Sequence, residues 1–234
     1  MKLIFDEYTW KARFFPCIIS AFPLFVLWFF LSKNIQLKEL GEYLLGLKFY
    51  GGVTLSIIFL CFYAQILRIT SKIIEDKYFN KKAGFPSTYL MTYSNDRCSK
   101  SYKDKYRQLI KKQFDIDLLN ETQEASDIEE ARKRLNEATN LIRVQIGAGL
   151  LVLQQNIWYG FVRNLVGGMI FSIIFCIGNI IIGFIWHNSI LIISSIVLLI
   201  IYIGVWLFRK KIITQTAEAY ANQLIAEFVT RNLK

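Results

Sequence analysis

One histidine, three prolines and four cysteines are all that 234 residues supply of those types, and each scarcity closes a class of function. His187 has no His, Asp or Cys near it in sequence, and no two cysteines form a CxxC pair. Zinc centres need such clusters of nitrogen and sulfur ligands, so no metal and no cofactor are expected. Signatures of nucleotide chemistry are missing as well. Gly147-Ala148-Gly149 has neither GxxxxGK[ST] nor GxGxxG and follows a helical pattern where a strand should precede, so it reads as a helix stop. The paired carboxylates Asp115/Asp117 and Glu129/Glu130 meet no nucleophile or ligand triad; a charged linker and a helix N-terminus account for them. No Asp, Glu, Lys, Arg or His lies inside the long apolar runs, where intramembrane proton chemistry would leave one. An enzyme is not expected.

What the chain has in abundance is apolar length. Leu165–Trp186 runs 22 residues without a charge, His187-Asn188-Ser189 turns it, and a second run ends at Phe208. Each is about the 20 residues that a helix needs to cross a bilayer. Trp186 and Trp206 mark the interfaces, and Arg209, Lys210 and Lys211 follow the second run. An earlier run, Phe14–Leu31, has Lys11 and Arg13 in front of it, as a signal peptide does, yet no small-residue cleavage site follows, so it reads as an uncleaved span. Pro16 should be harmless near the start of that helix, whereas Pro23 should kink it. Gly51–Leu67 is a shorter run, and Gln65 beside Arg68 could snorkel at its edge.

Four spans put both termini on one side. The segments 2–13, 68–163 and 209–234 hold 25 of the 28 Lys and Arg residues, so those segments are expected in the cytoplasm of a bacterial inner membrane. Cys17, Cys61 and Cys176 fall in spans, where Cys acts as a small apolar residue, and Cys98 stands alone in the central region. No disulfide framework is expected in a reducing cytosol.

The expected fold is mainly helical: four transmembrane helices in two hairpins, a small cytoplasmic α/β module between them, and a C-terminal cytoplasmic helix. The corresponding divisions are 1–67 (spans about 14–31 and 51–67), 68–164, 165–208 (spans about 165–186 and 189–208) and 209–234. Within the module, Ser87–Ser94 is rich in Tyr and Thr and precedes a turn signal, which predicts a strand, and Leu150–Gln155 could pair with it. Residues 156–164 are expected to form an amphipathic interfacial segment. Ser99–Phe114 carries an apolar face at helical spacing, and Ser126 with Glu129 forms a capping box that opens a helix from Asp127 to about Ile146. The intervening 115–125 reads as an acidic linker.

Three groups of residues stand out as candidates. Asn164, Gly168, Ser172, Cys176, Asn179 and Gly183 recur every three or four residues and make one small, polar helix face. Such a face either packs against another helix or lines a pore. Seven cations lie between Arg97 and Lys112, interleaved with Tyr102 and Tyr106. Arg97, Lys100, Lys103, Arg107 and Lys111 could hold phosphate while the tyrosines stack on bases; alternatively the row is a solvated helix face. In the tail, Ile213, Ala217, Tyr220, Leu224 and Phe228 form a narrow stripe suited to an oligomer contact or to packing on the chain's own module.

The succession of a two-span segment, GFPSTYLMTYSND, YKDKYRQLIKKQFDIDL, SDIEEARKRLNEATNLIR and LVLQQNIWYGFVRNLVGG resembles small four-span membrane proteins of bacterial anti-phage defence, in particular Hailong-type effector channels. The similarity covers about residues 84–170 and the span layout. It implies an effector that responds to a nucleotide signal from a nucleotidyltransferase encoded in the same operon. The expected protein is thus a homo-oligomeric inner-membrane channel, with a tetramer as the working stoichiometry, gated by a nucleotide or single-stranded oligonucleotide. The alternative is a non-channel membrane anchor or adaptor that recruits a cytosolic partner.

Overall fold

The computed structural model describes residues 6–32, 50–79 and 84–232, and helix dominates them; no strand occurs among the described residues. A short α1 (Glu7–Thr9) passes through a π-helical turn (Trp10–Phe14) into α2 (Phe15–Ser32). Then come α3 (Tyr50–Phe79), α4 (Pro86–Tyr89), α5 (Lys100–Phe114), α6 (Glu121–Ser126), α7 (Ile128–Ile146), α8 (Leu150–Ile185), α9 (Ser189–Leu207) and α10 (Arg209–Arg231). Four helical stretches are long and apolar enough to cross a membrane: Glu7–Leu31, Ile57–Phe79, Leu150–Ile185 and Ser189–Leu207. The chain is thereby marked as a multi-pass membrane protein. The segment 33–49, which would close a first hairpin, lies outside the described residues.

The expected α/β module is all helix. Pro86 sits at the first position of α4, where its missing N–H and fixed φ suit a helix start, and turns follow from Leu90. Side chains then compete for the backbone that a ladder would need: Thr92 Oγ1 donates to Tyr89 O at 2.7 Å, and Asn95 Oδ1 accepts from Arg97 N at 2.8 Å. The other expected strand, 150–155, and the expected interfacial segment both belong to α8. No Gly or Pro separates Leu150 from Tyr159, so nothing stops a helix that the following span already favours. At 36 residues α8 is about 54 Å long, well beyond a ~30 Å hydrocarbon core.

Caps differ in detail. Ser99 caps α5, its hydroxyl accepting from Tyr102 N. The capping box is Asn120 with Gln123, which turns part of the expected linker into α6; α7 is capped instead by Asp127, accepting from Glu130 N at 2.9 Å. Asp127 and the first-turn acids Glu129 and Glu130 lie where the partial positive charge of the α7 N-terminus favours them.

The chain gathers into two compact units. One holds the described residues up to Glu75 with Gly160–Ile212; the other holds Asp76–Tyr159 with the chain from Ile213 onward. The first unit contains most of the spanning length. In its core Cys17, Ala21, Tyr63 and Leu67 pack with Phe171 and Phe175, while Met169, Cys176 and Tyr202 pack with Leu198 and Leu199. The second unit buries Tyr106, Ile110, Leu135 and Ile142 around Phe228, whose ring lies 5.7 Å from Tyr106 and 6.0 Å from Phe114. Ile213, Ala217, Tyr220, Leu224 and Phe228 are all buried there, so the stripe of α10 is spent on packing within its own chain.

Candidate functional site

The small polar face of α8 lies against α2 inside the first unit. Asn164, Ser172, Cys176 and Asn179 are each 2 % exposed or less. A Cβ on Gly168 would come within 2.6 Å of the Ser20 Cβ, so only glycine admits this approach. Gly183 performs the same service toward Ile192 of α9. Three backbone carbonyls of the first helical stretch receive side-chain donors from this face. Asn164 Nδ2 donates to Ala12 O at 2.6 Å, Ser172 Oγ to Ser20 O at 2.9 Å and Asn179 Nδ2 to Pro23 O at 2.8 Å. From α9, Tyr202 Oη donates to Ile19 O at 2.9 Å.

The prolines explain two of these bonds. A proline has no N–H to give the carbonyl four residues back. Pro16 therefore withholds a donor from Ala12, and Pro23 withholds one from Ile19. Those are the two carbonyls that Asn164 and Tyr202 reach. In an apolar interior an unsatisfied carbonyl costs several kcal/mol, so a proline inside a span survives only where a neighbour replaces the lost bond. Pro16 is not at a helix start, as its position in the apolar run suggests, but well inside Glu7–Leu31. The π-helical turn just before it, closed by Phe15 N donating to Trp10 O, opens the backbone there. Asn164 is held in turn, its Oδ1 accepting from Ser71 Oγ of α3 at 3.0 Å. One turn further along α3, the buried carboxylate of Glu75 accepts from Arg163 at 2.9 Å and from Lys72 at 2.7 Å. Charge periodicity alone does not single out Glu75; the neighbouring acid Asp76 looks equivalent in sequence.

The basic row of the second unit is not one ligand-facing strip. Lys103 is buried, and its ammonium donates to the carbonyl oxygens of Asn95 and Tyr93. Arg107 is buried too. It donates to Met91 O at 2.9 Å and Leu119 O at 3.3 Å, pairs with the buried Glu124 at 2.8 Å, and lies 3.9 Å over the Tyr93 ring. Glu124 also accepts from Tyr93 N at 2.5 Å, and Tyr93 Oη donates to Asp104. Burial and then that hydrogen bond to Asp104 push the Tyr93 phenol up to about 12. These groups knot the 90–99 turns to α5 and α6. Tyr106 is fully buried and Tyr102 half-buried. Arg97, Lys100 and Lys111 remain exposed, paired with Glu218, Glu121 and Asp117. Each of those exposed cations has its pKa raised by its carboxylate partner.

Among the described residues no three His, Cys, Asp or Glu side chains come together in a manner that could hold a metal ion. His187 forms the turn between α8 and α9 with φ 51°, and Asn188 caps α9. Compared with known proteins, the chain matches no family model, and no curated protein and no solved structure is similar to it.

Proposed function

We propose that this chain is a multi-pass effector of the bacterial inner membrane in anti-phage defence: a homo-oligomeric channel, with two span hairpins and both termini cytoplasmic, opened by a nucleotide or short oligonucleotide. The observation that supports the reading most is that α3 and α8 each contribute residues both to the unit with the spanning length and to the other unit. A ligand that shifts the second unit then acts on the same helices that cross the membrane. The exposed cations Arg97, Lys100 and Lys111 are the phosphate contacts, because surface ion pairs are worth only about 0–1 kcal/mol and a phosphate can displace the carboxylates. Lys103 and Arg107 hold the framework beneath them. The α8 face is occupied within the chain, so its role is the helix contact that shifts on opening.

Reconstituting the full chain in liposomes tests this. Ion flux should require a nucleotide or oligonucleotide, and binding should weaken as salt rises. Replacing Arg97, Lys100 and Lys111 by Gln should weaken binding about tenfold or more while leaving the protein folded, since each lost charge-assisted phosphate contact is worth roughly 1.5–3 kcal/mol at most. Tight ligand binding with no flux would support the anchor or adaptor reading instead. The exposed aliphatic residues Val144, Leu150 and Leu151 of the second unit favour that alternative, since they offer a partner an apolar surface.

A further inference from the structure

Among the side-chain amides of the described spanning stretches, Asn164, Asn179 and Gln65 are treated in opposite ways. Asn164 and Asn179 are buried and bonded to backbone carbonyls inside the chain. Gln65 of α3 is exposed, and among the described residues no hydrogen bond reaches its amide. It sits six residues, about 9 Å along the helix, from Ser71, on the side leading into the apolar run. Arg68 and Lys72, nearer the end of that run, have long stems that carry a charge out to the headgroups; the shorter Gln65 side chain lies deeper than either.

Gln65 is also at the centre of the outward face of α3. At 100° per residue, Ile58, Phe62 and Ile69 fall within about 60° of it, and all three are exposed. Their spacing of four, three and four residues is that of a helix–helix seam. The outward face of α9 makes the contrast: Ile190, Ile193, Ile200 and Leu207 are exposed and purely aliphatic, which is what acyl chains accept. Lipid tails offer an amide nothing. A primary amide, however, carries two donors and an acceptor, so two copies of Gln65 related by symmetry can satisfy each other without any third group.

We propose that the α3 face centred on Gln65 is the surface through which copies of this chain assemble in the membrane. The proposal rests on the multi-span, homo-oligomeric reading above and adds the helix and the residue that build the oligomer. It also moves the interface away from α8 and α10, whose candidate faces are already covered.

Cysteine cross-linking in native membranes tests it. In a chain whose four cysteines are replaced by alanine, Ile58→Cys, Gln65→Cys and Ile69→Cys should give disulfide-linked dimers under mild oxidation, and Ile193→Cys and Ile200→Cys on α9 should not. Gln65→Leu in the otherwise native chain should weaken association about 3- to 20-fold, the range for a membrane-embedded side-chain hydrogen bond, and Gln65→Asn should restore part of it. Cross-links on α9 in place of α3, or none at any α3 position, would overturn the proposal and leave this face to lipid. Unchanged association of Gln65→Leu would overturn the role of the amide. Neither measurement uses nucleotide or flux. A chain that cross-links at Gln65 but never conducts therefore overturns the channel alone, and one that conducts without the cross-link overturns this interface alone.

Discussion

At the scale of single residues, the chain's chemistry is concentrated in replaced hydrogen bonds. Pro23→Ala would return an N–H to the carbonyl of Ile19 and make the Tyr202 hydroxyl redundant. Tyr202→Phe should therefore cost about 1–3 kcal/mol in the native chain, because it leaves a buried carbonyl bare, and distinctly less in the Pro23→Ala background. Thermal unfolding of the four proteins in one detergent checks this, and equal costs in both backgrounds would falsify the pairing. Half of this relation is legible in sequence: a proline inside a span announces which carbonyl has lost its donor. The other half is not, since the replacing groups lie 152 and 183 residues away and only tertiary packing brings them in. The spacing of Asn164, Ser172, Cys176 and Asn179 is readable as one face for a simpler reason. It depends only on the pitch of a helix.

At the scale of elements, α5 shows where periodicity misleads. Its lysines and arginines look alike in sequence, yet Lys103 and Arg107 point inward and bind backbone carbonyls of the preceding turns. The distinguishing partner, Glu124, comes from α6, a helix that the acidic composition of 115–125 disguises as a linker. Removing that partner should be costly: Glu124→Leu strands the buried Arg107 guanidinium and should destabilise the chain by about 3–5 kcal/mol, whereas Glu121→Leu, which breaks only the exposed pair with Lys100, should cost less than about 1 kcal/mol. Thermal unfolding of the two variants decides it, and a similar loss for both would show that Arg107 finds another anion. The strand expectation at 87–94 fails for a related reason. β-rich composition needs a second strand to pair with, and residues 150–155 extend α8 instead.

For the whole molecule, apolar length carries the most information, because a run of twenty residues without charge has few places to be. All four spans are legible on that basis. Their ends are not, since α3 and α8 continue as helix beyond the apolar windows, where composition turns polar but nothing breaks the backbone. Orientation rests on the distribution of Lys and Arg. An impermeant thiol reagent should label Asn188→Cys in intact cells and reach Cys98 only after the cells are opened; labelling of Cys98 in intact cells would invert the topology.

The two prolines of α2 also set a timetable. A ribosome delivers the first span long before Asn164 and Tyr202 exist, and at roughly 5–20 residues per second those donors emerge about 8 to 40 s later. Throughout that interval the carbonyls of Ala12 and Ile19 lack both the N–H that a proline cannot supply and the side-chain donors that replace it in the folded chain. The newborn span must keep them at the wet margin of the bilayer or in the insertion machinery until α8 and α9 arrive. Synthesis interrupted before residue 164 thus yields a membrane fragment with two unsatisfied backbone groups and most of its packing surface bare, which is the kind of half-made product that cellular proteases remove. The order of the helices along the chain makes the first span hostage to the last.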